Sequence, residues 1–152
     1  MNNIIRHVSV AISISLVATA CHDNTPTAAH PLPGGIPLAV DLQTVRDVPT
    51  SGLPRLTLRG GAGAVVAQWE VVDGPCMLAN ATAQGAGSVV MIWIDRYGNP
   101  AANCTPASMG YEYVATVSGL SSGVYEVQVV DQLGDGPGRQ VGRAALAVSP
   151  AP

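Results

Sequence analysis

From residue 38 onward, apolar and polar positions alternate with a period of two. Leu38, Val40 and Leu42 share a face, and Leu56 and Leu58 alternate with Arg55, Thr57 and Arg59. Val65, Ala67, Trp69 and Val71 oppose Gln68 and Glu70. Tyr111, Tyr113, Ala115 and Val117 oppose Glu112, Val114 and Thr116, and Tyr125, Val127 and Val129 oppose Glu126 and Gln128. Such alternation marks half-buried strands. Residues 88–95, SVVMIWID, are apolar on both faces, as in a central strand. A last run, QVGRAALAV, ends at Val148. Gly-rich segments separate the runs at Gly60–Gly63, Gly85–Gly87, Ser118–Gly123 and Gly134–Gly138. About seven short strands, with no helical stripe after residue 20, predict an all-β fold, an antiparallel sandwich or barrel.

The N-terminal part follows other rules. Arg6 and His7 precede an uncharged segment, VSVAISISLVATA, over residues 8–20. As a helix it would span about 20 Å, short of the ~30 Å bilayer core. A basic start, a short apolar stretch and small residues at its end are the layout of an export signal. Residues 22–37, HDNTPTAAHPLPGGIP, hold four Pro and two Gly and lack the apolar content of a core. They predict a flexible spacer. The expected organisation is a signal peptide over 1–20, a linker over 21–37 and a domain over 38–150.

The junction Ala18-Thr19-Ala20-Cys21 resembles the lipobox of bacterial lipoproteins. The resemblance implies cleavage before Cys21 and acylation, palmitate included, of its thiol and new amino group. Membrane attachment through that lipid follows. Position 18 is Ala where the family usually has Leu, and Ala18-Thr19-Ala20 also reads as an ordinary A-x-A cleavage site that releases a soluble secreted or periplasmic protein. His22, rather than Asp, follows the Cys; by family analogy this favours the outer membrane in a two-membrane cell. The chain has three Cys. A lipid on Cys21 leaves Cys76 and Cys104 to pair as a disulfide in an oxidising compartment.

Two further stretches carry a resemblance. Residues 95–100, DRYGNP, resemble a turn of bacterial immunoglobulin-like domains, which implies turn roles for Asp95, Gly98 and Asn99. Residues 118–129, SGLSSGVYEVQV, resemble the corner of immunoglobulin-like and fibronectin-like sandwiches. There a Tyr hydroxyl bonds backbone a few residues upstream; the matching residue is Tyr125. Together they imply a single immunoglobulin-like β-sandwich. Val127 stands where antibody domains have their second Cys. A Cys76–Cys104 bridge is therefore expected to tie two loops at an edge.

Composition narrows the chemistry. The net charge is −3 without a basic run, so nucleic acid is not an expected partner. There is no Lys, and His7, His22 and His30 are the only His. This removes Ser-His-Asp, Cys-His, His-bound metal and Schiff-base chemistry from the domain, and no metal or cofactor is expected. Asp131–Gly136, DQLGDG, lacks EF-hand spacing and predicts a hairpin turn. Asp73 with Asp95, or Glu112 with Glu126, are the remaining carboxylate pairs for glycoside chemistry, but solvent-facing strand positions are expected for all of them. Met91 and Trp93 share the parity of Asp95; burial is expected for Trp93, with a stacking platform as the functional alternative. Asn80-Ala81-Thr82 and Asn103-Cys104-Thr105 are formal glycosylation acceptors. The expected function is non-enzymatic: an envelope protein whose domain binds a protein or carbohydrate or plays a structural part, alone or within a larger assembly. The alternative is a soluble secreted enzyme or enzyme inhibitor.

Overall fold

A computed structural model of the chain describes residues 31–104 and 107–151. The expected export signal, Cys21 and the first part of the expected linker lie outside the described residues. Nine strands follow: β1 Ile36–Leu38, β2 Val40–Val48, β3 Arg55–Gly61, β4 Ala64–Asp73, β5 Met77–Ala86, β6 Val89–Gly98, β7 Met109–Ser118, β8 Gly123–Leu133 and β9 Arg139–Val148. One sheet has the order β1-β5-β6-β8-β9 and the other β2-β7-β4-β3. The two pack as an all-β sandwich around one core.

The count exceeds the expected seven, and the extra strands have a physical origin. In β5, Met77, Ala79, Ala81 and Ala83 point inward and Leu78, Asn80, Thr82 and Gln84 outward. The period of two is present, but its inward line is mostly Ala, a poor strand former that reads weakly as core. Leu38, Val40 and Leu42 do not belong to one strand. The chain changes sheets at Ala39, whose carbonyl accepts a bond from Ser118 N at 3.2 Å. All three side chains still pack on the core. The expected boundary at residue 38 also moves: Ile36 begins β1, and Leu32 N donates to Gln84 Oε1 at 3.2 Å. The last part of the linker is thus seated on the sheet edge.

The expected all-antiparallel pairing holds except at the centre. β6 runs parallel to β8, with Val90 opposite Val127 and Ile92 opposite Val129. The chain leaves β6, crosses to β7 in the facing sheet, and returns as β8 beside β6. Two crossings restore the original direction, so the pair is parallel.

The core is built from Val65, Ala67, Trp69, Val90, Ile92, Ile94, Tyr111, Tyr113, Val117, Val127 and Val129. Tyr111 and Tyr113 stack with centroids 5.8 Å apart, as side chains two apart on one face allow. One flank is closed where β3 meets the end of β9. Ser149 N donates to Gly61 O at 3.0 Å, and Gly63 N to Ser149 O at 2.8 Å. A Cβ at Gly60 would collide with the Ala147 carbonyl, so the flank closes only because residue 60 has no side chain.

Candidate functional site

At the disulfide end, Cys76 lies between β4 and β5 and is bonded to Cys104 in the β6–β7 loop, with Cα atoms 6.2 Å apart. The bridge ties two connections at one end of the sandwich. Asn99 organises the same place: its Oδ1 accepts from Ala101 N at 3.0 Å, its carbonyl from Ala102 N at 3.2 Å, and its own N–H donates to Cys76 O at 3.1 Å. The other two turn residues are placed differently. Pairing of Met77 with Gly98 extends β6 through the expected turn. Asp95 is therefore a strand residue opposite Asn80, and Gly98 is not in the left-handed region.

Beneath this end lies a buried cluster of charges. Arg96 bonds Asp131 through both Nε and Nη2, at 2.6 and 2.7 Å, and Asp73 through Nη1 at 2.5 Å. Tyr113 Oη donates to the same Asp73 oxygen at 3.1 Å. All four side chains are buried. Burial works against the Arg96 charge, but its bonds to Asp131 and Asp73 outweigh that and hold the guanidinium above the ordinary arginine range. Burial, and then the Asp73 charge, push the Tyr113 phenol up. Tyr111 Oη accepts from Met77 N at 3.2 Å, which fastens β5 to the tyrosine pair.

Expecting Asp73 to face solvent was therefore incorrect. The parity of each strand carries the correction. Asp73 continues the inward line Val65, Ala67, Trp69, Val71; Arg96 continues Val90, Ile92, Ile94; Asp131 continues Tyr125, Val127, Val129. Three charged residues at inward positions compensate one another. Neither candidate carboxylate pair comes together. Asp73 points inward and Asp95, on the opposite parity of its own strand, outward. Glu112 and Glu126 lie on the outer faces of different sheets. Glu112 is instead directly opposite Glu70, whose carboxylate is bonded by Arg55 and by Gln68 Nε2. Burial, with a contribution from Asp131, raises the Asp95 carboxyl above the usual carboxylate range.

At the other end, where the chain enters, a cleft of about 190 Å³ opens between β1, the β5–β6 turn and the β7–β8 loop. Ile36, Leu38, Val89, Val90, Leu120 and Tyr125 give it its apolar walls. Tyr125 Oη donates to Ser121 O at 3.1 Å, four residues upstream, which is a tyrosine corner in geometry. The ring is half-buried, not enclosed as a core tyrosine would be, because it forms a wall of this cleft. Exposed Ile36 and Val124, at 64% and 65% relative exposure, extend the apolar character of this end. The walls hold no acid, and their one phenol is engaged by a carbonyl. Apolar contact and backbone hydrogen bonding are what the cleft offers. Its volume is below the ~300 Å³ at which small-molecule pockets begin and suits a single side chain or a short aliphatic segment.

Trp93 lies on the outer face of the five-stranded sheet and is half-buried. The β8–β9 turn covers it: a Cβ at Gly138 would strike the Trp93 ring and Val130. The indole is a seat for that turn, and DQLGDG is the start of the hairpin that reaches it. Asn80 and Thr82 are exposed on the outer side of β5; the second acceptor runs into residues outside the description. No family model, curated protein or solved structure matches this chain.

Proposed function

We propose that this is an exported, lipid-anchored envelope protein whose β-sandwich serves as a non-catalytic binding or structural domain. The observation that carries the reading is the Ala18-Thr19-Ala20-Cys21 junction at the end of an export signal. The disulfide supports it: Cys76 and Cys104 satisfy each other, so Cys21 is the one thiol of the chain left for another use. A bridge of this kind fits an oxidising compartment. Within this reading the outer membrane is the favoured address in a two-membrane cell. The domain is of immunoglobulin-like type in its Tyr125 corner, with a parallel central pair that the simple antiparallel scheme lacks. The tether-end cleft is the favoured place for a protein or carbohydrate contact.

Growth with labelled fatty acid tests the anchor. The wild-type chain should take up label and fractionate with membranes, and Cys21→Ser should lose both. An unlabelled, soluble wild type starting at Cys21 would establish ordinary cleavage after Ala20 instead.

A further inference from the structure

Charged side chains are distributed unevenly along the long axis of the sandwich. Five stretches meet at the entry end: residues 32–39, the β3–β4, β5–β6 and β7–β8 connections, and the residues after β9. Residues 31–40, 60–69, 74–94, 113–125 and 144–151, which include all of them, contain no Asp, Glu, Arg, Lys or His. Going inward from that end, the nearest charges are Asp41 on β2, Arg59 on β3, Glu126 on β8 and Arg143 on β9. Two acids and two arginines make this collar neutral. The disulfide end, by contrast, exposes Arg46, Asp47, Arg55, Asp135 and Arg139.

The same end is apolar. Ile36 and Val124 are the two most exposed large hydrophobic side chains of the described residues, and half-buried Leu120 and Tyr125 line the cleft with Ile36. A single exposed apolar side chain is ordinary; several on a rim without charge mark a surface that meets an apolar partner. The chain also enters here. Eleven residue steps separate Cys21 from Leu32, whose N–H is bonded to Gln84. A flexible spacer of that length has an r.m.s. span of about 18 Å, whereas the ten-residue strands of the sandwich are about 33 Å long. A lipid on Cys21 thus holds the entry end next to the bilayer; for the disulfide end to reach it, the spacer would have to stretch along the whole sandwich. Residues 22–31, HDNTPTAAHP, have no Leu, Ile, Val, Met, Tyr or Trp with which to cover the apolar end themselves.

We propose that the entry end docks on the lipid surface that carries the anchor, with Ile36 and Val124 at the acyl boundary and the neutral collar in the headgroup layer. The proposal rests on the anchor reading, and it makes lipid, rather than a protein or carbohydrate, the partner of this end. No charged side chain has to be desolvated as the rim enters the interface. Tyr125 suits that depth, with an apolar ring and a hydroxyl already satisfied by Ser121 O. The apolar area is small, but the tether makes the contact intramolecular, and a weak contact at high effective concentration is well populated. The domain then stands on the membrane with its disulfide end outward.

The exported chain, residues 21–152, coupled through the Cys21 thiol to a maleimide lipid in phosphatidylcholine vesicles, tests this. Cys76 and Cys104 are bonded to each other, so coupling is confined to Cys21. The maleimide supplies the anchor, so a negative result falls on the docking and not on acylation in the cell. Val124→Trp adds an indole at the entry end, and Leu133→Trp adds one at an exposed position of the disulfide end. The unsubstituted chain, with Trp69 and Trp93, gives the baseline. Brominated acyl chains should quench most of the emission that Val124→Trp adds and none of that added by Leu133→Trp. Combining Ile36→Glu with Val124→Trp places a charge on the rim at an exposed position and should abolish most of that quenching. Equal quenching of the two indoles overturns the proposal, as does quenching that Ile36→Glu leaves unchanged in a folded protein. Quenching of neither also overturns it, and leaves this end to a protein or carbohydrate.

Discussion

Replacing Arg96 by Met is the sharpest test of the buried charge cluster. The substitution keeps much of the aliphatic volume and removes the one cation. Asp73 and Asp131 are then left in the interior, with Asp73 still bonded by Tyr113 and Asp131 without its two guanidinium bonds. Breaking a buried ion pair by removing one partner costs about 3–5 kcal/mol. Total stability of a domain is about 5–15 kcal/mol, so the loss is a large part of it. Urea melts at neutral pH measure it directly. Adding Asp73→Asn and Asp131→Leu to Arg96→Met should recover most of the loss at pH 7, because no uncompensated charge remains. A cost under about 1 kcal/mol, or a triple variant no more stable than Arg96→Met alone, would refute the account.

Removing the disulfide with Cys76→Ser and Cys104→Ser should cost about 3.5 kcal/mol by loop entropy, measured as the difference between the denaturant melts of this variant and of the oxidised wild type. Tyr125→Phe should cost about 0.5–1 kcal/mol, since its bond to Ser121 is at the surface, and Tyr125→Ala about 2 kcal/mol from lost apolar area; equal melts for all three proteins would remove the corner. Asp95→Asn should stabilise the fold at pH 7. The raised carboxyl of the folded state makes wild-type stability fall as pH rises from the ordinary carboxylate value through the folded one. The gain should vanish near pH 3, where both states are protonated, and thermal melts at the two pH values check it.

The architecture was legible where period-two patterns ended in large residues. β4, β6, β7 and β8 announced themselves through Trp69, Ile92, Ile94, Tyr111, Tyr113, Val127 and Val129, all buried. β5 did not, because alternation written in Ala carries little hydrophobic contrast. The sheet change at Ala39 was hidden for a different reason. Leu38, Val40 and Leu42 keep facing one core across it, so the pattern continues while the hydrogen-bonding partner changes. The parallel β6–β8 pairing is a property of chain crossings, to which local alternation is blind. The DRYGNP turn was placed early since composition marks a turn but not how far the preceding ladder extends; Met77 opposite Gly98 extends it.

The charge cluster and the cleft were missed for opposite reasons. Asp73, Arg96 and Asp131 each lie one residue past the end of a strand run legible in the sequence, and they fall inward only when the parity of that run is carried on. Burial of charge is disfavoured one residue at a time, but three such violations with a net requirement for one another are a signal of pairing. The cleft left no such trace, because its walls come from the chain entry, a hairpin turn and the β7–β8 loop. The consequence is a division along the long axis of the sandwich. The disulfide end holds the bridge, the Asn99 turn and the Arg96 cluster, and so concentrates the contacts that resist opening. The entry end has none of these; it has half-buried Tyr125, exposed Ile36 and Val124, and a short β1 that covers little of β5. Local stability follows such contacts, and surfaces that meet partners are drawn from the less constrained regions. Binding at the entry end therefore draws on the less constrained half of the sandwich and leaves the bridge and the Arg96 cluster undisturbed.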